Sequence, residues 1–178
     1  SGFFPPIDFR EGDGVKGQIP FNMVDYAPLH RAALVNLDKW VSGESNPPPS
    51  CHPSLDCGTA MESKSILERF KLLPGINVPV KTTMAMRLDY GPFTHLGRTV
   101  QLPAIEGETY PALVSDIDDN FNEIAGIRLP DIEVPLATST GWNLRHDSIG
   151  NTELYIGITR GLAGWTKTFA STKVLMQS

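Results

Sequence analysis

Apolar residues recur at three- and four-residue spacing over residues 26–42, where Tyr26, Leu29, Ala33, Leu34, Leu37, Trp40 and Val41 fall on one face. Asp25 is placed to cap the start, and Pro28 sits in the first turn, where a missing N–H costs little. Gly43 suits the left-handed position just past the end, so the pattern predicts a helix over 26–42. The tract Ser45-Asn46-Pro47-Pro48-Pro49-Ser50 cannot continue that helix and favours a polyproline II path. Residues 63–72 predict a second, short helix with Ile66, Leu67, Phe70 and Leu73 inward, stopped by Pro74-Gly75.

Elsewhere the period shortens or disappears. Residues 1–24 read as loop, broken by Pro5, Pro6, Gly12, Gly14, Gly17 and Pro20. Residues 83–90 alternate roughly, as a strand does, and 91–111 read as a loop rich in proline and glycine. Two apolar runs, 112–117 and 124–129, flank the turn formers Asp118-Asp119-Asn120-Phe121-Asn122-Glu123, which predicts a β-hairpin. Residues 127–138 read as a proline-bounded strand, and the turn after it offers Trp142, Asn143 and Arg145 behind Gly141. From 154 to 174, glycines mix with aromatic and small residues without a recognisable closing element, and no internal repeat is present.

Composition fits this picture. In 178 residues there are 16 glycines and 15 prolines, about 17% of the chain against a typical sum of roughly 12%. Much of the backbone must therefore be turns and short extended pieces around one modest core. The net charge of -5, with both signs interleaved, leaves no basic stripe to neutralise phosphates and argues against nucleic acid as a partner. No stretch approaches the ~18 consecutive apolar residues of a membrane span, so the chain reads as soluble. Its compartment is not legible. The first residue is Ser, with no leader-like segment after it, which reads as a processed start or a piece of something longer.

Candidate chemistry is sparse. Asp116, Asp118, Asn120 and Asn122 alternate as the start of a calcium loop would, but Phe121 and Ile127 stand where that loop needs Gly and Glu. The run is therefore an acidic turn. Cys51 and Cys57 read as unpaired thiols or as a loop disulfide, and with His52 they fall short of a zinc site. No Gly-x-Ser-x-Gly pentapeptide occurs. His30 on the predicted helix, His52 in a proline-rich loop and His95 in a glycine-flanked loop read as solvated or packed, since a general base needs an orienting acid and a nucleophile within hydrogen-bond reach, and His146, next to Asp147, is the one distant catalytic candidate. Trp142, Asn143 and Arg145 are candidate binding residues if their turn is exposed. The opposing reading makes Trp142 part of the chain's own core and pairs Arg145 with a carboxylate.

With these residues in view, the chain resembles the C-terminal part of a family of large bacterial proteins, the alpha/beta hydrolase domain proteins. The likeness runs through Val24-Asp25-Tyr26, Ala32-Ala33-Leu34-Val35 and Leu37-Asp38-Lys39-Trp40-Val41, then Pro47-Pro48-Pro49-Ser50. It continues in Ala125-Gly126-Ile127-Arg128-Leu129-Pro130 and in Pro135-Leu136-Ala137-Thr138 through Thr140-Gly141-Trp142-Asn143-Leu144-Arg145. A weaker likeness extends into Gly161-Leu162-Ala163-Gly164-Trp165. Phe121 departs from the pattern, since family members usually carry Gly there, and the end lacks the family's long helical tail.

The resemblance implies an alpha/beta-hydrolase-like α/β fold in which helix 26–42 is the final helix of a hydrolase core. Residues 1–44 would then end that core, and residues 45–178 would be a loop-rich C-terminal extension with a β-hairpin. The Ser, acid and His of the triad follow that chain order in the fold and would lie upstream of Ser1. The implied partners are that upstream core and a small acyl substrate, with no cofactor and no metal. The function implied is the structural or cap part of an ester or related acyl hydrolase. The alternative is a non-catalytic packing or ligand-binding module.

Overall fold

The computed structural model describes residues 9–10, 14–80, 84–156 and 163–169. Among the described residues three α-helices and eight short strands make a mixed α/β fold, with the strands paired two by two, all antiparallel. Phe9–Arg10 (β1) pairs with Val15–Lys16 (β2), and Ala60–Glu62 (β3) with Leu113–Ser115 (β6). Met86–Asp89 (β4) pairs with Ile105–Thr109 (β5), and Ala137–Ser139 (β7) with Thr166–Thr168 (β8).

The long helix, Ala27–Val41 (α1), forms where the spacing predicts it. Asp25 Oδ1 accepts the Ala27 N–H at 2.9 Å, and the end closes as a Schellman motif. There Gly43 donates to the Trp40 carbonyl at 3.1 Å, Glu44 donates to the Lys39 carbonyl at 2.9 Å, and Gly43 takes φ +75°. Local rules thus account for the helix, but burial does not follow: none of its residues is buried. Leu34, Leu37, Trp40 and Val41 each keep half or more of their surface in solvent.

The second helix, Ser63–Phe70 (α2), buries Ile66 and Phe70, and Leu73 is buried just beyond it. They join Ile117 and Trp165 in the main core, with Ile19, Ile76, Val78, Phe121 and Trp142 packed around it. Arg69 fastens the helix to the loop beyond β6, pairing with Asp116 and donating to the Ile117 carbonyl at 2.7 Å.

Three expectations need correction. The segment 91–111 is not only loop: β5 lies within it, and the sequence hid it because all five of its residues are exposed and no apolar alternation marks it. The expected hairpin of 112–117 with 124–129 shrinks to a closed turn, since β6 pairs with β3 and only Ile117 and Glu123 bridge across the turn. The expected strand 127–138 begins instead as a helical turn, Pro130–Glu133 (α3), because Pro130 is preset for the first helical position. Only Ala137–Ser139 is strand. Of the closing region 154–174, residues 157–162 and 170–174 lie outside the described residues.

A ladder of distant segments organises the far side. Residues 16–18 run beside 144–146: Gln18 donates to the Leu144 carbonyl at 2.9 Å and His146 to the Lys16 carbonyl at 3.0 Å. On the other side Arg145 donates to the Leu154 carbonyl at 3.0 Å, and Ile156 to that of Asn143 at 3.0 Å. The bonds of Lys16 and Gln18 tie the N-terminal segment to residues 144–146. Gly17 and Gly164 allow the close approaches. A Cβ on Gly17 would strike the Asn143 amide, and one on Gly164 would strike the Thr140 carbonyl.

Candidate functional site

The turn at 116–123 shows how the acidic run is used. Asp118 Oδ1 accepts the N–H groups of Asn120 (2.8 Å) and Asn122 (3.0 Å), and its Oδ2 receives Arg128 at 2.8 Å. Arg128 also lies 2.9 Å from Glu133, although its Nε does not point well enough to make a hydrogen bond. Asn122 is fully buried. It donates to the Ala137 carbonyl at 3.0 Å and accepts the Ser139 N–H at 2.8 Å, so its amide acts as a strand partner for β7. Asp116, Asp118 and Asn122 are thus spent on separate partners, and among the described residues no cluster of His, Cys, Asp or Glu could hold a metal.

This turn forces Phe121 to φ 60°, the left-handed region that Gly enters freely and other residues enter at a cost of roughly 1–2 kcal/mol. The ring offsets that cost by packing on Phe70, with centroids 5.7 Å apart. Phe70 in turn meets Trp142 (5.5 Å) and Trp165 (6.1 Å), both edge to face.

Beside these rings lies a cavity of about 400 Å³. Phe70, Phe121 and Trp142 supply aromatic wall, and Ile66, Leu67, Ala112, Val114 and Ile117 the aliphatic wall. Ser63, Ser115, Ser139, Thr140, Glu123 and Tyr155 are the polar groups at its edge. Ser115 and Thr140 are committed: Ser115 Oγ accepts from Ala125 N–H at 3.0 Å, and Thr140 Oγ1 donates to the Trp142 carbonyl at 2.8 Å. The Glu123 carboxyl and the Tyr155 hydroxyl have no hydrogen bond or ion pair among the described residues. Glu123 counts as exposed over its whole surface, yet the walls strip enough water from its carboxyl to push the pKa above the ordinary 4.5. Desolvation raises the Tyr155 phenol as well. Unengaged titratable groups facing an apolar cavity make this the candidate binding site.

The expected site residues divide. Trp142 lines this cavity and packs in the core at once. Asn143 is buried, donating to the Ile19 carbonyl at 2.8 Å, so it holds the N-terminal segment and does not stand on an exposed turn. Arg145 is half-buried in the ladder, and no carboxylate pairs with it among the described residues. The exposed-turn picture fails because the backbone of 143–146 is bonded on both sides.

His146 caps the short 3-10 turn Asp147–Ile149. Its Nδ1 lies 2.6 Å from Asp147 and 2.9 Å from Ser148 Oγ, so acid and hydroxyl address the same nitrogen. A relay needs them on opposite nitrogens. Cys51 and Cys57 are free, exposed thiols. Ser63 follows strand β3 and opens helix α2, the order of a nucleophile elbow, but its backbone lacks the left-handed strain, since Phe121 is the only non-glycine with positive φ among the described residues. Sequence reading missed Glu123 and Tyr155: one closes a turn and the other sits in a patternless stretch, and only the fold turns both to one cavity.

The described residues thus form a mixed α/β architecture around an apolar cavity with the Glu123 carboxyl and the Tyr155 hydroxyl at its edge. The chain belongs to the alpha/beta hydrolase domain family, whose model matches residues 8–174. No curated protein and no solved structure matches it. No helix among the described residues is long and apolar enough to cross a membrane.

Proposed function

We propose that these residues are the C-terminal structural or cap part of an ester or related acyl hydrolase, and that the nucleophile is supplied from outside residues 1–178. Membership of the family gives the hydrolase reading. The observation that carries the finer claim is α1: a well-capped helix whose Leu34, Leu37, Trp40 and Val41 stripe meets solvent. A continuous apolar stripe of this kind is what a helix presents to a sheet. On this reading residues 1–44 complete a hydrolase core upstream and 45–178 extend from it. Trp142 faces the acyl substrate from the extension, while Asn143 and Arg145 hold the segment that carries it. No cofactor is required, because acyl transfer by a serine nucleophile needs none.

The test is hydrolysis of a short nitrophenyl ester by the purified 178-residue chain, beside a longer product of the same gene. The chain alone should release nitrophenol at the buffer rate, and a longer product carrying an elbow serine should turn over. Turnover by residues 1–178 that disappears in His146→Ala would overturn the assignment.

A further inference from the structure

The cavity under Phe121 has chemistry of its own. Its walls are eight apolar side chains, three of them aromatic, and its size lies in the ordinary range for small-molecule sites. Of the polar groups at its edge, three are unspent, the Glu123 carboxyl and the Tyr155 and Ser63 hydroxyls, and the first two are titratable. No Lys, Arg or His lines it. Arg128 borders a neighbouring groove that Glu123 also reaches, but its guanidinium is held by Asp118 and Glu133. An anionic ligand would find no countercharge here and would face a carboxyl. A ligand with a hydroxyl to donate would give Glu123 the partner it lacks and offer its oxygen to Tyr155.

We propose that this cavity binds an uncharged, mainly apolar alcohol or phenol, with its ring or chain against Phe70, Phe121 and Trp142 and its hydroxyl between Glu123 and Tyr155. Burial keeps both groups protonated to higher pH than usual, which suits a neutral ligand. The inference does not rest on the hydrolase reading, because binding needs no nucleophile.

Calorimetric titration of the 178-residue chain with 2-naphthol, and separately with 2-naphthoate, tests it. 2-Naphthol should bind and 2-naphthoate should bind at least tenfold more weakly. Glu123→Met should weaken 2-naphthol about tenfold, which is ~1.4 kcal/mol, and Tyr155→Phe should weaken it severalfold. Val114→Trp should abolish binding by filling the cavity, with Ala112→Phe as a second filling variant should the first fail to fold. Binding of 2-naphthol that survives both fillings, equal binding of the naphthoate, or no binding at millimolar 2-naphthol would overturn the proposal. So would a dimer of the chain that Val114→Trp dissociates, since the cavity would then belong to a protein interface. The titration reads binding by the 178-residue chain and the ester assay reads turnover by the longer product, so this inference and the hydrolase reading fail separately.

Discussion

Trp142 and Trp165 meet edge to face, with ring centroids 5.8 Å apart and planes at 89°. The pair joins two segments distant from α2, and both rings also contact Phe70. Trp165 is wholly enclosed, with its N–H donating to the Thr140 hydroxyl at 3.3 Å and its carbonyl accepting from Thr140 at 2.9 Å. Its indole Nε1 has no partner.

Trp142 is only half-buried, and that difference sets the first prediction. Trp165→Ala should cost roughly 3–5 kcal/mol, a large share of the ~5–15 kcal/mol that holds a domain of this size. Trp165→Phe should cost much less, because it keeps most of the ring and removes a buried N–H that is unsatisfied. Trp142→Ala should fall between them, since one side of its ring already faces the cavity. Urea unfolding of the three variants checks the order.

Asn122 gives the second. Its amide stands in for a neighbouring strand, so Asn122→Leu strips partners from both the Ser139 N–H and the Ala137 carbonyl. Each buried group left unsatisfied costs ~1–3 kcal/mol. A loss of about 2–5 kcal/mol is expected, and a change under 1 kcal/mol by denaturant unfolding would mean water replaces the amide.

How much of this was legible beforehand depends on range. The helix α1 was readable to within a residue or two because Asp25, Pro28 and Gly43 act through their immediate neighbours. The inward face of α2 was readable for the same reason. What sequence could not show is which strand β6 would choose. Its partner β3 lies some fifty residues away, with α2, β4 and β5 between them. Nor could it show that Asn143 would turn inward, since an amide serves a turn and a buried ladder equally well. Glu123 and Tyr155 come to one cavity only through that long-range folding, so no local pattern announces them.

The third prediction concerns pH. The Glu123 pKa is raised in the fold, so between the ordinary 4.5 and the folded value the native state holds more protons than the unfolded one. Stability from this group is therefore greatest below 4.5 and declines as pH rises through the folded value. Tyr155 faces the same cavity but titrates only at alkaline pH, above its ordinary 10.0. Glu123→Gln should consequently gain stability relative to the parent as pH is raised from about 4 to 7. Thermal unfolding across that range reads it, and a gap that narrows or stays constant would show that the carboxyl is not desolvated.

The last prediction separates helix α1 from the rest of the core. If its stripe awaits a surface outside residues 1–178, then Leu37→Glu with Trp40→Glu should leave the stability of this chain within about 0.5 kcal/mol, as surface substitutions do. A comparable charge at Phe70, which is almost fully enclosed, should prevent folding. In a longer product of the gene the two substitutions on α1 should cost several kcal/mol, because the same side chains would then be buried against a sheet. Melting temperatures of both lengths, with and without the substitutions, decide it. Equal, small effects in the two lengths would leave the helix a solvated appendage and remove the observation on which the hydrolase reading of this segment rests.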